Sequence, residues 1–166
     1  MILLEFEEGP TLESEAPIRL RIGEDEILGW DEETAFMRLP LIPTSFEGLV
    51  VLRQLRRHGR FEMQIGRFGA NGTLLFALIG EDVVVHDPDS ERTGRVPLAE
   101  LEAAWEAFAD RVAAAVRARA PDLIETLERL EVWRTETPPW WDDPRYYEGH
   151  WRERFEYYGW WPETID

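Results

Sequence analysis

Residues 97–120 have the sequence PLAELEAAWEAFADRVAAAVRARA, whose apolar spacing is the clearest structural pattern in the chain. Apolar side chains recur every three or four residues, and the alanines between them favour helix. Pro97 lies where the first turn of a helix tolerates proline. The stretch therefore predicts a long amphipathic helix from about Pro97 to Ala120. Its apolar row comprises Leu98, Leu101, Trp105, Phe108, Val112 and Val116.

The sequence before this helix alternates between strand-like runs and turns. PIRLRIG at 17–23 shows the clearest alternation of apolar and charged side chains. Three further runs, separated by GANG and GED, predict an antiparallel meander. Between the two blocks, apolar spacing predicts a helix from about Ser45 to Gly59, with the glycine as its C-terminal stop. The meander runs are FEMQIGRF at 61–68, TLLFALIG at 73–80 and DVVVHD at 82–87.

These elements predict an α+β fold with an antiparallel sheet of about five to seven strands, packed by the long helix. Pro121 interrupts that helix, and DLIETLERLEVW at 122–133 predicts a shorter one with Leu123, Leu127 and Leu130 on one face. TETPP at 135–139 is the only plausible hinge. We therefore expect a single domain over residues 1–134 and an appended C-terminal extension over 135–166.

The extension is unusually aromatic. Ten of the chain's twenty aromatic rings lie between Trp140 and Trp161. So many rings must either cover the protein's own core or meet a partner. We expect the extension to dock across the sheet of the same domain, with a few rings exposed as anchors for a protein or a sugar. An alternative is that it closes a homodimer. The candidate anchors are Trp140, Trp141, Tyr146, Tyr147, Trp160 and Trp161.

Composition limits the classes of partner. The chain has 166 residues, a formal net charge of -16 and no cysteine. The absence of cysteine excludes disulfides, thiolate metal ligands and thiol catalysis. The negative field repels nucleic acid and anionic lipid and attracts basic proteins. Residues 1–10 lack a signal-peptide pattern, and no apolar run reaches membrane-spanning length. These features predict a cytoplasmic protein that binds neither membranes nor, directly, nucleic acid.

The long helix carries an acidic ridge, which we define as Glu102, Glu106 and Asp110. These acids recur every fourth residue, away from the apolar row, and no arginine lies four residues beyond any of them. Like charges at this spacing destabilise an isolated helix by about 0.2–0.5 kcal/mol per pair. Two interpretations follow: a solvated helix surface, or a ridge that faces a cationic partner.

Catalytic motifs are absent from the sequence. It has no serine elbow, phosphate-loop lysine or two-histidine zinc motif, so we expect a protein without enzymatic activity or cofactor. One alternative comes from VVVHDPDSE at 83–91, where His86, Asp87 and Asp89 could converge on a divalent cation in a metal-dependent hydrolase. The same residue types are also ordinary turn formers.

Acidity, aromatic anchors and missing catalytic motifs together predict a non-catalytic binding protein that engages and inhibits a basic protein. The acidic ridge would face that partner, and the rings of the extension would supply apolar anchors. Small acidic immunity proteins that neutralise toxins have this general composition, which is an analogy of composition alone. The metal-dependent hydrolase and an assembly module that dimerises through the aromatic extension are the alternatives.

Overall fold

The computed structural model describes residues 1–28, 38–67, 70–139 and 155–160. Within these ranges the chain forms eight strands and three α-helices, with short 3-10 helices at Pro121–Leu123 and Val132–Arg134. No helix in the described ranges has the length and apolar content needed to cross a membrane. The elements are β1 (Ile2–Phe6), β2 (Glu15–Ile22), β3 (Asp25–Leu28), β4 (Arg38–Pro40), α1 (Leu41–His58), β5 (Arg60–Arg67), β6 (Ala70–Ile79), β7 (Asp82–Asp87), β8 (Arg92–Pro97), α2 (Leu98–Arg119) and α3 (Ile124–Glu131).

The first sheet is organised around β2. This strand pairs antiparallel with β1 over residues 18–22, with β4 over residues 15–17 and with β3 over residues 20–22. Ile18, Leu20 and Ile22 are buried, as their alternation predicts. On the other side of the strand, the Arg19 guanidinium donates to Glu26 Oε1 at 2.7 Å. The sheet therefore has one apolar side and one charged side.

The second sheet is an antiparallel meander in the order β5-β6-β7-β8. The α+β class and the antiparallel pairing are confirmed, but the prediction of one sheet with five to seven strands is wrong. The chain forms two four-stranded sheets, and β8 lies in a stretch for which the sequence analysis predicts no strand. This strand packs against the first sheet, because a Cβ at Gly94 would lie 2.7 Å from Ile22 Cβ. Its weak apolar pattern reflects that close approach.

Helix α1 begins at Leu41, earlier than the predicted Ser45. Pro43 lies in the first turn, where backbone N–H groups have no acceptor within the helix, so the proline removes no hydrogen bond. Ser45 is consequently not an N-cap; its hydroxyl donates to Leu41 O at 2.7 Å. Gly59 ends the helix as predicted, with a left-handed φ of 77° and its N–H bonded to Leu55 O.

The two longer helices pack through a glycine and a tryptophan. A Cβ at Gly48 of α1 would overlap the indole of Trp105 in α2. The Trp105 indole N–H also donates to Ser45 O at 3.1 Å in the buried interface. A continuous apolar core joins α1 and α2 to the inner sides of both sheets, so this contact fixes one helix relative to the other at the centre of the fold.

The outer side of the second sheet carries a separate apolar cluster. Phe155 and Trp160, from the described part of the C-terminal extension, are buried there. They pack with Leu75, Ala77 and Val84 of β6 and β7. Residues 155–160 therefore contact the sheet on the side opposite the main core. The other residues of the aromatic stretch lie outside the described ranges.

Candidate functional site

The first residue of the acidic ridge is paired with an arginine from α1. Arg56 Nε and Nη2 donate to Glu102 Oε1 and Oε2, both at 2.6 Å. This is the two-point geometry in which a guanidinium binds a carboxylate most strongly. The hydrogen bond to Glu102, with the charge attraction behind it, raises the pKa of Arg56. Glu102 is therefore already engaged within the fold.

A single arginine pairs with the other two ridge acids. Arg134, in the 3-10 helix after α3, places Nη1 3.0 Å from Glu106 Oε2 and Nη2 2.8 Å from Asp110 Oδ1. Its guanidinium also lies 5.4 Å from the centre of the Phe46 ring, within cation–π range. Helix α2 has no arginine placed to pair with the ridge acids. They are paired instead with Arg56 of α1 and Arg134 of the segment after α3.

The ridge keeps partial access to solvent despite this pairing. The Glu106 side chain is 51% exposed and that of Asp110 is 72% exposed. A groove of about 290 Å³ lies beside them, between α1 and α2. Side chains of both charge signs line it, so the ridge acids there are already paired with arginines of the same chain. The groove is lined by Leu49, Leu52, Arg53, Glu102, Ala103, Glu106 and Arg134.

A second set of acids forms no ion pair with a described residue, although Arg129 lies four residues beyond one of them on the same helix. Asp122, in the 3-10 helix before α3, and Glu125 and Glu128 of α3 are exposed, and their side chains form no hydrogen bond or ion pair with another described residue. Leu127 and Leu130 are buried on the opposite side of the same helix. We define the acidic surface of α2 and α3 as Glu106, Asp110, Asp122, Glu125 and Glu128. The last three of these acids were not singled out as candidates from the sequence. The spacing of Leu123, Leu127 and Leu130 could have identified them, because it places the acids on the opposite side of the helix.

The proposed metal cluster does not form, because its members have other contacts. His86 stacks on Trp160, with ring centroids 4.9 Å apart. Asp87 is buried and accepts hydrogen bonds from the Asp89 backbone N–H at 3.1 Å and from the Ser90 hydroxyl at 2.9 Å. These are turn contacts, the simpler interpretation of the sequence. In the part of the chain that the structure describes, no group of three or more His, Asp or Glu residues is placed to hold a metal ion.

The predicted aromatic anchors are only partly described. Trp160 is 6% exposed and packs on the protein's own sheet, so it is not an exposed anchor in this state. Tyr157, in the same helical turn, is 77% exposed. The remaining predicted anchors lie outside the described residues, so their role stays a prediction, as does dimerisation through the extension. They are Trp140, Trp141, Tyr146, Tyr147 and Trp161.

Comparisons of the chain with protein-family models, with curated proteins and with solved structures gave no match. A likeness to proteins of known function therefore contributes nothing to the choice of function. The charges, contacts and exposure of the chain's own residues are the basis of the proposal that follows.

Proposed function

We propose that this chain is a non-catalytic acidic protein that binds, and thereby inhibits, a basic protein through the acidic surface of α2 and α3. The main support is the exposed trio Asp122, Glu125 and Glu128, which has no cationic partner among the described residues. The net charge of -16 adds a long-range field that attracts cationic proteins. Acids without an ion pair in the free protein are available to a partner, and the trio places three of them between residues 122 and 128.

The trio and the ridge would make different contributions to binding. Binding at the α3 acids breaks no ion pair within the fold, so their attraction for a cation is fully available. At Glu106 and Asp110, a partner's cation must compete with Arg134, which already holds both carboxylates. We therefore expect the trio to dominate the association rate and the ridge to contribute less.

Neutralising the trio, with a matched control, tests this proposal. The variant Asp122→Asn/Glu125→Gln/Glu128→Gln removes three negative charges from the net -16. The control Glu7→Gln/Glu24→Gln/Asp25→Asn removes three as well, at exposed acids near β1 and β3 whose side chains also form no hydrogen bond or ion pair with described residues. The two triple variants therefore share one net charge and differ only in where it is lost.

Two measurements use these variants. With an oligoarginine peptide as probe, the association rate at low salt should fall more for the α3 triple than for the control. In affinity capture from the native lysate, basic proteins retained by the wild type and the control should be lost from the α3 triple. If the association rate falls equally in both triple variants, the effect is one of net charge and not of the α3 region. If the wild type and both triple variants capture the same proteins, the α3 region is not part of the interface.

A further inference from the structure

One row of side chains crosses all four strands of the second sheet on its outer side. The strand register aligns Glu62 of β5 with Leu75 of β6, Leu75 with His86 of β7, and His86 with Thr93 of β8. Leu75 belongs to the apolar cluster that Phe155 and Trp160 complete. A titratable imidazole therefore lies beside the surface on which residues 155–160 dock.

His86 is in direct contact with the docked segment. Its ring lies parallel to the Trp160 indole, with centroids 4.9 Å apart and 10° between the planes. On the other side, His86 Nδ1 is 2.7 Å from Thr93 Oγ1, which fixes the orientation of the imidazole. Phe155 contacts the same indole, with ring centroids 5.4 Å apart. Trp160 thus docks between a ring of the sheet and a ring of its own segment.

The docked state includes an unfavourable element. The Trp160 indole Nε1 is buried and has no hydrogen-bond partner among the residues described. A buried donor without a partner costs about 1–3 kcal/mol. Stacking and apolar burial must offset this cost, so docking is weaker by that amount than the buried apolar area alone would make it.

We propose that the His86–Trp160 stack is a pH-sensitive latch, which holds residues 155–160 on the outer side of the second sheet near neutral pH and releases them in acid. His86 contacts this segment through the stack, and its ordinary pKa lies between neutral pH and mild acid. Protonation would place a charged imidazolium in a half-buried site, so the cost of losing its hydration there must exceed the cation–π attraction of the indole for the latch to open.

The direction of the effect follows from the surroundings of His86. Burial lowers the pKa of His86, and this effect is partly opposed by the Asp87 carboxylate, by a backbone hydrogen bond with Arg92 and by Glu91. The other charged groups that the strand register places on this face are Arg60 and Glu62 of β5, Asp82 of β7 and Arg95 of β8, and the last two form an ion pair. Glu156 is exposed in the docked segment. Because the docked pKa lies below the undocked one, docking is strongest above the ordinary histidine pKa of about 6.5 and weakens as the pH falls through it.

Fluorine NMR of the full chain labelled with 5-fluorotryptophan tests the latch. Trp160→Phe identifies the Trp160 resonance, and Trp105→Phe identifies that of Trp105, which is buried between α1 and α2. As the pH is lowered from about 8 to about 5, the Trp160 resonance should move towards that of a solvent-exposed indole. The Trp105 resonance should stay in place, because the core remains folded.

Two variants complete the test. His86→Phe keeps a ring for stacking but cannot be protonated, so its Trp160 resonance should stay at the docked position throughout; His86→Gln replaces it if the Trp105 resonance shows that the phenylalanine variant is unfolded. Tyr157→Leu removes an exposed ring from the same turn and should titrate like the wild type. The proposal is overturned if the wild-type Trp160 resonance does not move, if it moves equally without His86, or if Trp105 moves with it.

Discussion

Substituting Gly48 by alanine should strongly destabilise this protein, although the same change stabilises most helices. Gly48 lies inside α1 with Trp105 of α2 packed directly on it. A methyl group there would overlap indole atoms Cε2 and Nε1, far inside the roughly 3.5 Å at which heavy atoms touch. Trp105 is 1% exposed and cannot move without displacing its neighbours in the core.

Three contributions set the expected size of the effect. Overpacking a core of this density costs about 1–3 kcal/mol. Displacing the indole breaks its hydrogen bond to Ser45 O and leaves a buried donor without a partner, at a further cost of about 1–3 kcal/mol. Replacing glycine by alanine inside a helix returns about 1 kcal/mol. We therefore expect Gly48→Ala to lower the free energy of unfolding by about 1–5 kcal/mol, with about 3 kcal/mol as the central value.

Urea denaturation followed by circular dichroism measures this loss, and a double-mutant cycle assigns it to the Trp105 contact. Trp105→Leu leaves space beside residue 48, so Gly48→Ala should cost much less in the Trp105→Leu background than in the wild type. Coupling of this sign identifies the steric contact. The reasoning fails if Gly48→Ala stabilises the wild type, or if the two single effects simply add.

The remaining predictions concern Arg53, which binds backbone oxygens of the segment after α3, and the buried carboxyl group of Glu47. Arg53 donates to the backbone oxygens of Trp133, Arg134 and Glu136, so Arg53→Met should cost about 2–3 kcal/mol, whereas Arg134→Met, which loses partly exposed ion pairs, should cost about 1 kcal/mol in the same urea assay. Burial raises the pKa of Glu47 from 4.5 to about 7, so the folded state favours the protonated carboxyl and stability falls as the pH rises between these values. Glu47→Gln should therefore add about 3 kcal/mol at about pH 8 and almost nothing at about pH 4; an equal gain at both pH values would contradict this assignment.

Periodicity along the chain was a good guide to individual elements and a poor guide to how they assemble. The alternation at Ile18, Leu20 and Ile22 and the stop at Gly59 depend on residues a few positions apart, and both are visible in the sequence. The division into two sheets was not visible, because it depends on β8. That strand is recognisable only once Gly94 is placed against Ile22 of the first sheet. Its sequence, RTGRVP, has too few apolar residues to show the alternation that predicts a strand.

For the candidate surface, too, the sequence showed the local pattern but not the long-range contacts. The sequence showed that Glu102, Glu106 and Asp110 repeat without a compensating arginine on their own helix. It could not show that Arg56 and Arg134, 46 and 28 residues away, reach Glu102 and Glu106 in the folded chain. The regular spacing of the ridge therefore reflects contacts that hold α1, α2 and the segment after α3 together.

That outcome changes which acids are expected to face a partner. A repeated charge on a helix surface indicates an interface only when the fold leaves the charge without a counterion. The ridge largely fails this condition, whereas Asp122, Glu125 and Glu128 satisfy it among the described residues. The apolar spacing of Leu127 and Leu130 turns these acids to solvent, and no arginine in the described ranges forms an ion pair with them, although Arg129 is exposed on the same helix. In the proposed complex, Glu125 and Glu128 of α3 can bind a cation of the partner without first breaking an ion pair with a described residue.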